Sequence, residues 1–107
     1  MLGMITVSVL YPKTADSRFD YDYYLGTHIP LVKARWTSTG LDRVDLLRAA
    51  ATLDGSAPAY ELIGLLTFTS LEAAGQSIAA HGAEIIDDIP NFTNVQPVVQ
   101  INTPVHE

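Results

Sequence analysis

Phe19-Asp-Tyr-Asp-Tyr-Tyr-Leu-Gly-Thr-His-Ile-Pro30 gathers three tyrosines, two aspartates and a histidine into twelve consecutive residues. The stretch reads as the start of a helix. Asp20 suits the N-cap, because its carboxylate accepts an orphan N–H of the next turn. Asp22 places a negative charge in the first turn, where the helix dipole favours it. Tyr24, Leu25, His28, Leu31 and Val32 recur at three- and four-residue steps, so they share one face. Pro30 cannot donate to the carbonyl of Gly26, and its ring crowds that group. A kink or break is therefore expected between His28 and Pro30, with Pro30 opening a second helical segment.

On either side of this helix the pattern is that of strands. Residues 5–11 alternate and are rich in β-branched side chains, with Ile5, Val7, Val9 and Tyr11 pointing one way and Thr6 and Ser8 the other. Pro12 ends the strand, and residues 13–18 form a polar loop. The helix resumes after its break through Arg35 and Trp36, and Gly40 suits a left-handed C-cap. Residues 44–51 read as a second strand, residues 54–58 as a turn and residues 60–68 as a third strand. Ser70 caps a second helix whose inward stripe is Leu71, Ala74, Ile78 and Ala79. That helix is expected to end near His81 and Gly82, with a short helical turn over residues 83–88. Residues 89–94 form a loop, residues 95–102 a last strand and the rest a tail. Pro97 places the last strand at an edge or a bulge.

Strand, helix, strand, strand, helix, strand is the α+β order of a ferredoxin-like split βαβ fold, an antiparallel sheet of four strands with both helices on one face. The other face carries Thr6, Ser8, Gln96 and Gln100 among apolar neighbours such as Val98. Such a face is too apolar for open water and too polar for a dry core. A second copy of the sheet laid over it, enclosing a partly polar cavity, reconciles the two.

The chain has 107 residues, enough for one domain over residues 1–107. Its net charge of −6 argues against a nucleic-acid backbone or an anionic membrane as partner, since both need clustered Lys and Arg. With no cysteine, disulfides, thiolate nucleophiles and iron–sulfur ligation are excluded. The first residues lack the pattern of a signal peptide, no apolar run is long enough to span a membrane, and the cytoplasm is the default location. Met4 is an alternative start.

His28 with Tyr24, at a four-residue spacing, forms a candidate acid–base pair, and His28 is expected to lie buried beside a cavity between the first helix and the sheet, with polar neighbours. A lone inward histidine is otherwise satisfied by backbone. The adjacent Asp87 and Asp88 read as a solvated helix end, and His81 as a partner of the helix dipole. His28, His81 and His106 show no metal-ligand spacing. Gly64 reads as room for a packed helix, and Trp36 as a core or interface anchor. No dinucleotide fingerprint or phosphate loop is present.

Three runs resemble one known family. They are residues 4–12, residues 19–32 and residues 89–101, and the most specific piece is Tyr23-Tyr24-Leu25-x-x-His28-x-Pro30. The resemblance is to the EthD family, named for a protein of ethyl tert-butyl ether degradation, and it runs in register from Met4 to about Asn102. It implies a dimeric α/β barrel, with a homodimer formed through the open sheet face. It implies oxidoreductase or isomerase activity on a small apolar or aromatic molecule, with no cofactor. The catalytic residues carried over are His28 and Tyr24. Tyr23 and, more loosely, Phe92, Gln96 and Gln100 are carried over as substrate-binding, and Thr6 and Ser8 join that set from the reading of the mixed sheet face. The competing reading is a non-catalytic binding or accessory protein that supports an oxygenase.

Overall fold

The computed structural model describes residues 3–106. Its strands are β1 (Ile5–Pro12), β2 (Leu41–Arg48), β3 (Tyr60–Phe68) and β4 (Val98–Asn102), and its helices are α1 (Tyr21–Tyr23), α2 (Ile29–Trp36) and α3 (Leu71–Asp88). The sheet runs β2-β3-β1-β4, and every neighbouring pair is antiparallel. This is the ferredoxin-like α+β order expected from the sequence. Ile5 and Val7 of β1 and Leu66 and Phe68 of β3 pack with Val32 and Trp36 of α2 and with Ala74 and Ile85 of α3, so both helices cover one face. Trp36 is a core anchor, and its indole N–H donates to the carbonyl of Ser77 at 2.8 Å.

The first helix does not break at Pro30. Tyr24–His28 forms one π-helical turn between α1 and α2, and Ile29 N–H reaches back to the carbonyl of Tyr24. A π turn carries one extra residue, which shifts the hydrogen-bond register just where proline supplies no N–H. Leu25, Gly26 and Thr27, on the outer side of this turn, are exposed. The extra residue also offsets the inward stripe, which becomes Tyr24, His28, Ile29, Val32 and Trp36. Leu25, expected on that face, is instead 54% exposed.

The second helix likewise runs unbroken through His81 and Gly82 to Asp88. Gly82 is buried, and a Cβ there would stand 3.2 Å from Ile78 Cγ2. The glycine serves close packing and does not end the helix. His81 is therefore far from the C-terminus, where it was expected to meet the dipole. The buried stripe is Ala74, Ser77, Gly82 and Ile85, while Leu71 and Ala79 are exposed. β2 begins three residues earlier than its pattern suggested, directly after Gly40, and β4 begins only at Val98. Pro97 explains the second shift, since it has no N–H to give a ladder.

The expected caps are present. Asp20 accepts from Tyr23 N–H at 3.1 Å and Ser70 from Ala73 N–H at 2.9 Å. At the other end of the first helix Gly40 takes φ +115°. A bulge in β3 opposes Tyr11 to Leu62 and Pro12 to Tyr60, leaving Glu61 as the extra residue. Bulges re-aim side chains, and the Glu61 carboxylate accepts from the Tyr21 hydroxyl and from Lys13 Nζ at 2.9 Å. These bonds pin the start of the helix to the sheet edge. Burial, then Glu61, pushes the Tyr21 phenol up to about 12, and the same Tyr21 bond, then Lys13, holds Glu61 below its ordinary value.

The face away from the helices is divided. Thr6, Ser8 and Asn102 form its polar end, where Asn102 Nδ2 donates to Thr6 O at 2.8 Å and to Ser8 Oγ at 3.1 Å. Leu10 stands between Ile63 and Val98 in register, and Ile63 pairs with Leu47, which makes the other end apolar.

Candidate functional site

The π turn carries Tyr24 and His28 inward onto β1. The Tyr24 and His28 rings stack with centroids 5.6 Å apart, and Phe92 packs against both, 4.6 Å from His28 and 5.0 Å from Tyr24. Tyr11 meets Tyr24 edge-on at 6.0 Å. Beside these rings lies a cavity of about 120 Å³ between the helices and the sheet. Tyr11, Tyr24 and His28 line it with Val7, Val9, Gly64 and Leu66 of the sheet and Val32, Trp36, Ile85 and Ile89. Gly64 leaves space over the sheet. A Cβ at this position would stand 3.5 Å from the Tyr24 hydroxyl, so the residue read as room for a packed helix makes room for a phenol.

His28 is 3% exposed. Its Nδ1 lies 2.9 Å from Asp88 Oδ2, and the other carboxylate oxygen, Oδ1, accepts from the Tyr23 hydroxyl at 2.6 Å and from Asn91 Nδ2 at 3.0 Å. Burial holds the imidazole below its ordinary pKa even though Asp88 pulls the other way. Burial likewise raises Asp88, but the bonds from Tyr23, Asn91 and His28 outweigh it and hold the carboxyl below its ordinary value. At neutral pH the pair is thus a carboxylate and a neutral imidazole. The proton sits on Nδ1, facing Asp88, and Nε2 keeps its lone pair. Asn91 also lines a polar surface groove with Arg18, Asp20 and Asn94. The histidine therefore stands between an apolar cavity and a hydrogen-bonded set that reaches water.

Asp88 corrects the reading of the Asp87–Asp88 pair. Asp87 is exposed, as a solvated helix end requires, but Asp88 turns inward at the last residue of α3. A carboxylate is unfavourable at a helix C-terminus, and that mismatch is the signal by which the sequence could have marked it. Asn91, Tyr11 and Gly64 carried no comparable signal.

The site residues expected from the sequence fall into separate places. Tyr24 and His28 line the cavity, Phe92 packs behind them, and Tyr23 belongs to the Asp88 set. Thr6, Ser8 and Gln100 lie on the opposite side of the sheet, with Ser8 Oγ donating to Gln100 O at 3.3 Å. Gln96 precedes β4 and is not on the sheet. It lines an outer groove with Val95 and Pro97, and that groove shares Ile86, Ile89 and Val99 with the cavity. Ile86 is 61% and Val99 56% exposed, so the gap between α3 and β4 is the cavity's mouth. Among the described residues no three His, Cys, Asp or Glu side chains gather to hold a metal ion, and no helix is long and apolar enough to cross a membrane.

No protein-family model and no curated protein matches the chain. Solved structures do. An EthD-like protein from Ralstonia eutropha JMP134 is 37% identical over 100% of this chain and 96% of its own, with a TM-score of 0.88. An ethyl tert-butyl ether degradation (EthD) family protein from Bacillus halodurans C-125 shares the fold at 16% identity, covering 95% of this chain and 99% of its own, with a TM-score of 0.67. SnoaB, a cofactor-independent oxygenase from Streptomyces nogalater, shares it at 11% identity, covering 98% and 96%, with a TM-score of 0.66. Full-length similarity at 37% identity, on a fold that more distant relatives also share, places this chain in the EthD-like family.

Proposed function

We propose that the chain acts on a small apolar or aromatic molecule held in the cavity, with His28 moving a proton at Nε2 in an oxidation or isomerisation. The observation that supports this is the placement of one neutral histidine, held by a carboxylate on one edge, in the wall of an apolar cavity. A base so held takes a proton without first shedding water. The anion formed either regains the proton at another atom, which is isomerisation, or gives an electron to dioxygen, which is oxidation. SnoaB, described as a cofactor-independent oxygenase, has the same fold and favours the second course. Asp88 keeps the tautomer, and its negative charge balances the positive charge that develops on the ring.

The test is a screen of aromatic ketones, lactones and quinols for turnover, with the ¹⁵N shifts of His28 followed as each is added. Turnover accompanied by a shift at Nε2 supports the reading. Binding that shifts Nε2 without turnover assigns a carrier instead. Turnover that leaves His28 untouched overturns it.

The lowered pKa of His28 sets a pH dependence. Between the ordinary histidine value of about 6.5 and the lower folded value, the unfolded chain binds the proton more readily than the folded one. Stability contributed by neutral His28 is therefore full above the ordinary value and falls as pH drops below it. Turnover should hold its plateau through the ordinary histidine range and fall only beneath it. A rate profile that breaks at about 6.5 would count against His28 as the base.

The homodimer belongs to the same proposal. Leu47 is 51% and Val98 50% exposed at the apolar end of the open sheet face, which a second copy would cover. The buried area expected is above roughly 1,000 Å². Light scattering at micromolar concentration should give twice the chain mass, and Leu47→Glu should return it to the single-chain mass.

A further inference from the structure

Tyr23 and His28 lie five residues apart, and they meet the two oxygens of one carboxylate. The Tyr23 hydroxyl donates to Asp88 Oδ1 at 2.6 Å, and His28 Nδ1 lies 2.9 Å from Oδ2. In an α-helix side chains share a face at spacings of three and four, not five. The π turn between them closes a five-residue bond from Ile29 N–H to the Tyr24 carbonyl, and so changes that spacing. Tyr24 goes to the cavity wall, while Tyr23 is left beside the end of α3. Single π turns recur at functional sites, and this one brings a base and a second donor to the same anion.

Asn91 completes the set from the turn Ile89–Asn91 that follows α3. Its Nδ2 donates to Asp88 Oδ1 at 3.0 Å and to the Tyr23 hydroxyl oxygen at 3.3 Å. Tyr23 therefore accepts from Asn91 and aims its own proton at Asp88. The bond to Asp88 raises the phenol above its ordinary pKa, so it stays a donor. Tyr23 is not among the residues that line the cavity, and its ring stacks on Phe92.

We infer that Tyr23 is a positioning residue of this site and not a substrate contact: with Asn91 it holds one oxygen of Asp88, which keeps the other for Nδ1 of His28. The inference rests on the reading of His28 as the base. It carries a sign. Donors on Oδ1 take up part of the carboxylate's charge and weaken its pull on a proton at His28. Without the Tyr23 hydroxyl, Asn91 and His28 still orient the carboxylate, but it is more basic and stabilises the imidazolium better. The pKa of His28 then rises. Tyr23 thus extends toward acid the range in which His28 is a free base. The other titratable groups about the pair are Tyr24 on the same turn and Tyr11 of β1, both kept protonated by burial, Asp87 beside Asp88, and Arg18 and Asp20 in the groove with Asn91. The variants below leave all of these in place.

The experiment is a ¹⁵N NMR titration of the His28 imidazole in the full chain, for the wild type, Tyr23→Phe and Asn91→Ala. Melting curves accompany it, with kcat and KM against pH for any substrate that is turned over. The expected result in Tyr23→Phe is a His28 pKa higher by about half a pH unit, less than the roughly 1–3 that a whole neighbouring charge makes. Asn91→Ala should give a smaller rise, and in both the proton should stay on Nδ1. The acid limb of kcat should move up with the pKa while KM is unchanged. Phenylalanine keeps the stack on Phe92, so the titration reads the hydroxyl alone. An unmoved or lowered His28 pKa in Tyr23→Phe overturns the inference, and a lower melting temperature with it makes Tyr23 a structural tie. A raised KM with the acid limb unmoved overturns it in favour of a substrate contact. Should Tyr23→Phe not fold, Asn91→Ala, at an exposed position, decides by the same titration: a rise supports the inference and no rise overturns it. An unmoved pKa beside His28-dependent turnover overturns this inference and leaves the base standing. Turnover indifferent to His28 overturns both.

Discussion

Replacing His28 with alanine is expected to lower turnover of the cavity's substrate by about 10²–10⁴-fold, the range lost when a positioned acid–base group is removed. The fold should survive, because Asp88 keeps Tyr23 and Asn91 as partners and remains close enough to the surface to be hydrated. The stability cost should be about 1–3 kcal/mol, that of one buried hydrogen-bonded group. Asp88→Asn separates the roles further. It keeps an oxygen for Tyr23 but removes the charge that fixes the proton on Nδ1 and stabilises the imidazolium. The rate should fall, and the pH at which it breaks should fall with it, since the loss of a neighbouring carboxylate lowers the pKa of His28 further. Steady-state kinetics against pH, read with circular dichroism melting curves, check both variants. Wild-type turnover in His28→Ala would remove the histidine from the chemistry. A large loss of melting temperature with unchanged turnover would make it a structural residue.

Gly40→Ala should be the most damaging small substitution for stability. Gly40 sits at φ +115° between the turn Thr37–Thr39 and β2, and its carbonyl accepts from Thr69 N–H at 2.9 Å. A side chain in left-handed backbone costs about 1–2 kcal/mol. The added methyl would also lie 2.6 Å from Ala73 Cβ, a distance that forces the first turn of α3 to move. Overpacking of this kind adds about 1–3 kcal/mol. A total of about 3 kcal/mol lowers the melting temperature by roughly 12–24 °C for a domain near this size. Differential scanning calorimetry measures it directly, and a drop below about 5 °C would show that β2 can shift to make room. Gly55 has a positive φ of +81° but meets nothing within 4 Å, so alanine there should cost only the backbone part.

The order of strands and helices was legible in the sequence because each element carries its own local signal. Alternating β-branched residues in β1, an apolar run in β3, and the caps Asp20, Ser70 and Gly40 all act over a few residues, and all appear in the fold. The errors lay where local signals compete with packing. Pro30 forbids one hydrogen bond, but a kink and a π turn both answer that loss, and local sequence does not choose between them. Gly82 reads as a stop, yet it is buried against Ile78, and packing keeps the helix intact. Pro97 did mark an edge, though not how much of the run before Val98 it would free.

For the site the division is sharper. His28 and Tyr24 could be singled out because they lie four residues apart on one helix, a separation that sequence periodicity resolves. Asp88 stands 60 residues from His28, and Tyr11 and Gly64 reach the cavity from two different strands. No periodicity links positions so far apart, and only the antiparallel register and the seating of both helices on one face bring them together. The sequence by itself determined the elements, their order and the helix that bears the histidine, because these follow from backbone propensity and hydrophobic spacing. The tertiary structure alone decided which carboxylate holds that histidine and which strands line the cavity beside it, because both depend on distances between segments that no local interaction sets.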